Sequence, residues 1–143
     1  MIPQPLIEPI PDMGMVRLMA DYPHKYGLVP SWFACNGASI PPFAWPLIYT
    51  PFHPVVLGPS IPHDWLYLTH AVTRAEADLL FYEMLLANGA DPIRAQNMYS
   101  AVRLAGRYFW TQTQEDLKRL NYMYGFCRGR AEFDAYGFPE MAA

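Results

Sequence analysis

Charge is what this sequence has least of. Asp, Glu, Lys and Arg make up 16% of its 143 residues and leave a formal net charge of −3. Disordered chains are held open by charge and low hydrophobicity, so this composition excludes disorder as the main state. It also gives no basic surplus for neutralising phosphates, so there is no strong nucleic-acid signal. Cysteine is nearly missing: Cys35 and Cys127 lie far apart with no second thiol beside either, which excludes a CxxC metal or redox motif. Two reduced thiols are expected, a single long-range disulfide being the alternative. No window reaches the roughly 20 apolar residues that a membrane span needs. Met1-Ile2-Pro3-Gln4-Pro5 has neither the positive start nor the apolar core of a signal peptide.

Proline is scarce in one half only. Thirteen of the fifteen prolines fall in residues 1–62, and only Pro92 and Pro139 follow. Proline lacks a backbone donor and breaks helices, so residues 1–62 are expected to be extended segments, turns and loops. Met15–Tyr22 reads as a strand with partial alternation and Tyr26–Ala34 as a second one bent at Pro30, the two forming a β-hairpin. Residues 41–62 read as a long Pro-rich, aromatic-rich connection, of the kind that is functional or packed on a partner.

What is abundant is apolar: 52% of the chain is hydrophobic and 15% aromatic, enough for one domain with a real core. Helices are expected over residues 63–124, followed by an irregular tail at 125–143. Pro62 would open the first, running from His63 to His70. Thr73-Arg74-Ala75-Glu76 is a capping box for the second, which ends at Asn88-Gly89 with the core stripe Ala77, Leu80, Phe81, Met84 and Leu85. Asp91 and Pro92 start the third, with Met98, Val102, Ala105 and Phe109 inward and Gln96, Ser100, Arg103 and Arg107 outward. A fourth is expected from Thr113 to Tyr124 through Leu117, Leu120 and Tyr124. The expected class is therefore α+β, a small antiparallel hairpin or sheet followed by a bundle of about four helices.

Against this apolar background an ordered polar set stands out: Cys35-Asn36-Gly37-Ala38-Ser39-Ile40-Pro41-Pro42, Pro62-His63-Asp64-Trp65-Leu66-Tyr67 and Arg74-Ala75-Glu76-Ala77-Asp78. Polar groups near a core cost several kcal/mol unless they are paired or used, so the set is either a structural network or a site. His63 beside Asp64 is the pairing of a general base with a carboxylate, or of two metal ligands. On a helix His63, Tyr67 and His70 share a face while Asp64 points about 100° away, so His63 and Asp64 would not chelate one ion without other segments. At a helix start Asp64 is also favoured simply by the dipole. Asp78 follows Arg74 by four residues, which offers an intrahelical ion pair. From the shoulder of its apolar stripe it can also reach His63 or Tyr67, and Asp78→Ala is expected to cost roughly 1–3 kcal/mol. Ser39 is a candidate nucleophile with His63 as base, although the flanking glycines of a nucleophile elbow are missing and a turn-capping role suits it better. Arg103, Arg107, Lys118 and Arg119 read as a solvated face. Which metal or cofactor, if any, such a site takes is not encoded in a pattern the sequence makes readable.

Four ordered motifs together, Asn36-Gly37-Ala38-Ser39-Ile40-Pro41, His63-Asp64-Trp65-Leu66-Tyr67, Arg74-x-x-Ala77-Asp78-x-x-Phe81 and Ala101-Val102-Arg103-Leu104-x-Gly106, resemble the DUF1353 family over about residues 15–110. Asn36 stands where that family has Asp, so a carboxylate acting there in relatives has lost its charge in this chain. Locally the His-Asp-x-x-Tyr run also resembles the phospholipase A2 helix, but the dense cysteines of that family are absent and the likeness is set aside. The resemblance to DUF1353 implies a setting in tailed bacteriophages and prophages. The expectation that follows is a bacteriophage-encoded structural or accessory protein, a virion component of the tail or tail tip that engages other phage proteins in an oligomeric assembly. Such a protein would be made in the bacterial host cytoplasm and incorporated into the virion. The alternative is a small, metal-assisted hydrolase of cell wall or lipid with His63, Asp64 and Asp78 as catalytic candidates, supported by Asn36, Ser39, Tyr67, Arg74 and Arg103.

Overall fold

The computed structural model of the protein describes residues 1–10, 14–31, 33–35 and 46–110. Strands β1 (Ile7–Ile10), β2 (Met15–Leu18) and β5 (Ala34–Cys35) form one antiparallel sheet in the order β1-β2-β5, and β3 (Tyr22–His24) pairs with β4 (Gly27–Val29) in a separate ribbon. Three helices follow: α1 (Pro54–Thr69), α2 (Arg74–Ala87) and α3 (Pro92–Ala105). A single helical turn, α4 (Arg107–Trp110), comes after them.

The expected hairpin and four-helix bundle are therefore corrected. Each of the two expected strands is split in two. After Leu18 the chain bends, the Met19 N–H donates to the Leu6 carbonyl, and Tyr22 starts the second ribbon. Pro30 ends the other, because it has no donor to continue a ladder. Val29 stays with Tyr22, while Ala34 and Cys35 cross to pair with Arg17 and Val16. The described residues hold three helices longer than one turn. The one expected over Thr113–Tyr124 lies outside them.

The larger correction concerns proline. α1 begins at Pro54, eight residues before the expected start, and contains both Pro59 and Pro62. His53 caps it, its Nδ1 accepting the Val55 N–H at 3.2 Å. Pro59 cannot donate to the Val55 carbonyl as a helical residue would. Asn88, buried at the end of α2, makes that bond instead: its Nδ2 donates to Val55 O at 3.0 Å and to Pro54 O at 3.3 Å. Its Oδ1 accepts from Gln4 Nε2, and the Pro3 carbonyl accepts from the Tyr22 hydroxyl, so residues 2–5 lie as a strap across α1. Gly58 makes room for that strap, since a Cβ there would sit 3.0 Å from both Ile2 Cδ1 and the Tyr22 hydroxyl. Helix interruption by proline is thus offset by tertiary bonds and by burial of most of α1.

Two apolar clusters sandwich this helix. Val29, Phe33, Ile61, Trp65 and Leu66 anchor one, with the Phe33 ring edge-on to Trp65 at 5.4 Å. Ile48, Val56, Phe81, Leu85, Ala95 and Met98 make the other. The α2 stripe is buried as its spacing predicts. On α3 the prediction fails at its end: Ala105 and Phe109 are exposed, because Gly106 stops the helix and the turn of α4 changes the period.

Candidate functional site

Asp78 is 0% exposed and lies where α1, α2 and α3 meet. Its two oxygens are divided. Oδ1 accepts from His63 Nε2 at 2.8 Å and from the Tyr67 hydroxyl at 2.6 Å, both on α1. Oδ2 accepts from Arg103 on α3 at 2.7 Å and from Arg74 on α2 itself at 3.4 Å. A buried charge survives only with such pairing. Burial alone would raise the pKa of this carboxyl above the usual aspartate range; the bonds from His63, Tyr67 and Arg103 outweigh it and bring the net shift downward, so Asp78 is an anion. Burial, and then the bond to Asp78, push the Tyr67 phenol well above its ordinary value, so it stays protonated and donates.

The protonation of His63 follows from its partner. A carboxylate only accepts, so Nε2 carries hydrogen and the lone pair of the neutral ring is at Nδ1. Among the described residues nothing hydrogen-bonds Nδ1. The ring is held between Tyr67 and Phe81, with centroids at 4.3 and 4.8 Å, and its side chain is 11% exposed. His63 is therefore fixed in plane and tautomer, with its basic nitrogen left uncommitted by the described residues.

α3 is locked to the same point. Arg74 Nη1 also donates to the carbonyls of Val102 and Arg103 at the end of α3, the first of which accepts the Gly106 N–H as well. Gly106 follows them, and any Cβ there would overlap the Tyr67 hydroxyl and the Val102 carbonyl. Trp110 then packs edge-on to Tyr67 at 5.1 Å and flat on His70 at 4.0 Å.

Of the residues singled out in the sequence, the structure brings together His63, Tyr67, Arg74, Asp78 and Arg103. Asp64 neighbours His63 on α1 and is half-buried, but is not one of the groups on Asp78. Asn36 and Ser39 lie outside the described residues. Arg103 corrects its expected place on a solvated face: it sits on the α3 shoulder nearest α2, from which its long stem reaches the carboxylate. Sequence reasoning missed two supporting residues. Gly106, the last residue of the fourth motif, carried a signal. Asn88 carried none, since it reads as an ordinary helix end. Among the described residues no three His, Cys, Asp or Glu side chains form a group able to hold a metal ion. A cavity of about 260 Å³ lined by Ile2, His24, Leu80 and Met84 does not include His63 or Asp78. No helix of the described residues is long and apolar enough to cross a membrane.

The chain is similar to two proteins of Sinorhizobium fredii (strain NBRC 101917 / NGR234). It is 32% identical to uncharacterized protein y4iH over 71 residues, half of this chain and 30% of the relative. It is 34% identical to uncharacterized protein y4jT over 86 residues, 60% of this chain and 26% of the relative. The chain thus spans less than a third of the length of either. No solved structure matches it. The model of a family described as "Protein of unknown function (DUF1353)" matches residues 16–102, a stretch that contains Asp78, His63, Tyr67 and Arg74 and ends one residue before Arg103, and the chain belongs to that family.

Proposed function

We propose that this chain is a small hydrolase in which His63, oriented by Asp78, is the general base that activates water for attack on an ester or amide carbonyl of lipid or cell wall. The observation that carries the reading is the bond from His63 Nε2 to a wholly buried carboxylate at 2.8 Å, with Nδ1 unbonded among the described residues. A base needs a fixed tautomer, an uncommitted lone pair and a counter-charge for the imidazolium that forms when it takes a proton. His63 has these: Asp78 supplies the counter-charge, Tyr67 and Phe81 hold the ring, and Tyr67 occupies the second position on Oδ1. Asp78 does not touch substrate, because both its oxygens are committed.

The test is a panel of phospholipid, aryl-ester and peptidoglycan substrates, each with and without added divalent cation. Hydrolysis that falls by about 100-fold or more in His63→Gln supports the reading, since general-base catalysis contributes of that order. A wild-type chain inactive on the whole panel, or a His63→Gln variant of undiminished activity, overturns it.

A second reading is a bacteriophage virion component, near the tail, that engages neighbouring proteins. It is favoured by the large apolar side chains on and beside α3 that face solvent: Leu47 at 68% exposure, Ile93 at 73% and Leu104 at 78%. Large exposed apolar groups mark interaction surfaces when they are contiguous. Stoichiometric presence of the chain in purified particles would support this reading, and absence would remove it.

A further inference from the structure

Arg103 is the tight counter-ion of the site and comes from a different helix than the base. Its Nη1 is 2.7 Å from Asp78 Oδ2. Arg74 stands off at 3.4 Å, and the same nitrogen also serves the Val102 and Arg103 carbonyls. On the other oxygen sit Tyr67, which is neutral, and His63, which titrates. Among the described residues His63 meets Tyr67 from its own helix, where Asp64 is its sequence neighbour, and Phe81 and the Asp78 anion from α2, with Arg74 and Arg103 behind that anion. Trp110 of α4 reaches Tyr67, not the carboxylate.

One anion thus stands between two claimants. The negative potential at His63 is that of Asp78 less whatever Arg103 compensates. We propose that Arg103 is a positioning residue that sets the proton affinity of His63 across the shared Asp78 carboxylate. The sign follows from charge. Removing the guanidinium leaves the anion less compensated, favours the imidazolium, and moves the His63 titration to higher pH. That a shifted His63 alters a reaction rests on the hydrolase reading. The coupling itself does not.

The experiment is a pH titration of the His63 ring nitrogens by NMR in the full chain, without substrate, for wild type, Arg103→Gln and Arg103→Lys. Arg103→Gln raises the His63 midpoint by about one pH unit, the size of effect that a neighbouring charge exerts. Arg103→Lys keeps the charge but loses the short planar contact, and falls between the two. An unchanged or lowered His63 midpoint in folded Arg103→Gln overturns the proposal. Should that variant not fold, Arg103→Lys decides by itself: a rise of a few tenths supports the coupling and no rise refutes it. If the midpoint moves while no substrate is turned over, the coupling stands and the hydrolase reading fails. In an active enzyme the acid limb of kcat/KM moves to higher pH together with the NMR midpoint.

Discussion

A single aspartate does two jobs here, and its energetics separate them. Asp78 holds four donors from three helices while fully buried. Asp78→Ala would strand two guanidiniums and an imidazole, so we expect destabilisation of about 3 kcal/mol, the upper end of the sequence-based range. The pH dependence follows from the lowered folded-state value. A carboxylate whose folded value lies below its unfolded one contributes stability that is complete above the unfolded value, about 3.9 for Asp, and is lost as pH falls through the folded value. In urea melts the gap between wild type and Asp78→Asn should therefore not narrow between neutral pH and about pH 4, and should narrow only below. A gap already closing at pH 6 would mean that Asp78 carries a proton near neutrality.

At the scale of elements, the instructive case is α1. Read alone, the sequence puts the helix start at Pro62, because a proline at each of positions 54, 59 and 62 looks like a run of breaks. Pro54 is at the helix start, where its missing donor costs nothing. The donor that Pro59 lacks is replaced from 29 residues downstream by Asn88, and no local pattern contains that information. Asn88→Ala should destabilise the protein by about 2 kcal/mol, because buried carbonyls lose their partner. Pro59→Ala restores the local N–H donor to Val55, so the double variant should recover part of that loss. A strictly additive double-mutant cycle would show that Asn88 does not stand in for the proline. The capping box and stripe of α2, by contrast, were fully legible, because helix ends and apolar period are encoded within one turn of the residues concerned. The strands were half legible: their location could be read from alternation, but their partners could not. Pro30 decides which ladder each segment joins, and that choice is made by long-range packing.

Across the whole molecule, the ordered polar set was visible as chemistry before it was visible as geometry. The Asp78 contact to Arg74 follows from helical spacing, and those to His63 and Tyr67 from its place on the shoulder of the apolar stripe. The contact to Arg103 does not, since an arginine on an amphipathic helix among polar neighbours reads as solvated until the neighbouring helix is placed. The three helices share that carboxylate, and α1 and α2 are joined a second time through Asn88. Undocking any one of them would leave a buried anion or a buried carbonyl without its partner, so none has an inexpensive way to open by itself. The slowest amide protons of α1, α2 and α3 should accordingly exchange with one common free energy, equal to that of global unfolding, while the β1-β2-β5 sheet, tied to neither clamp, exchanges earlier. A helix α3 that exchanged well ahead of α1 would show that the shared carboxylate does not bind the three into one cooperative unit.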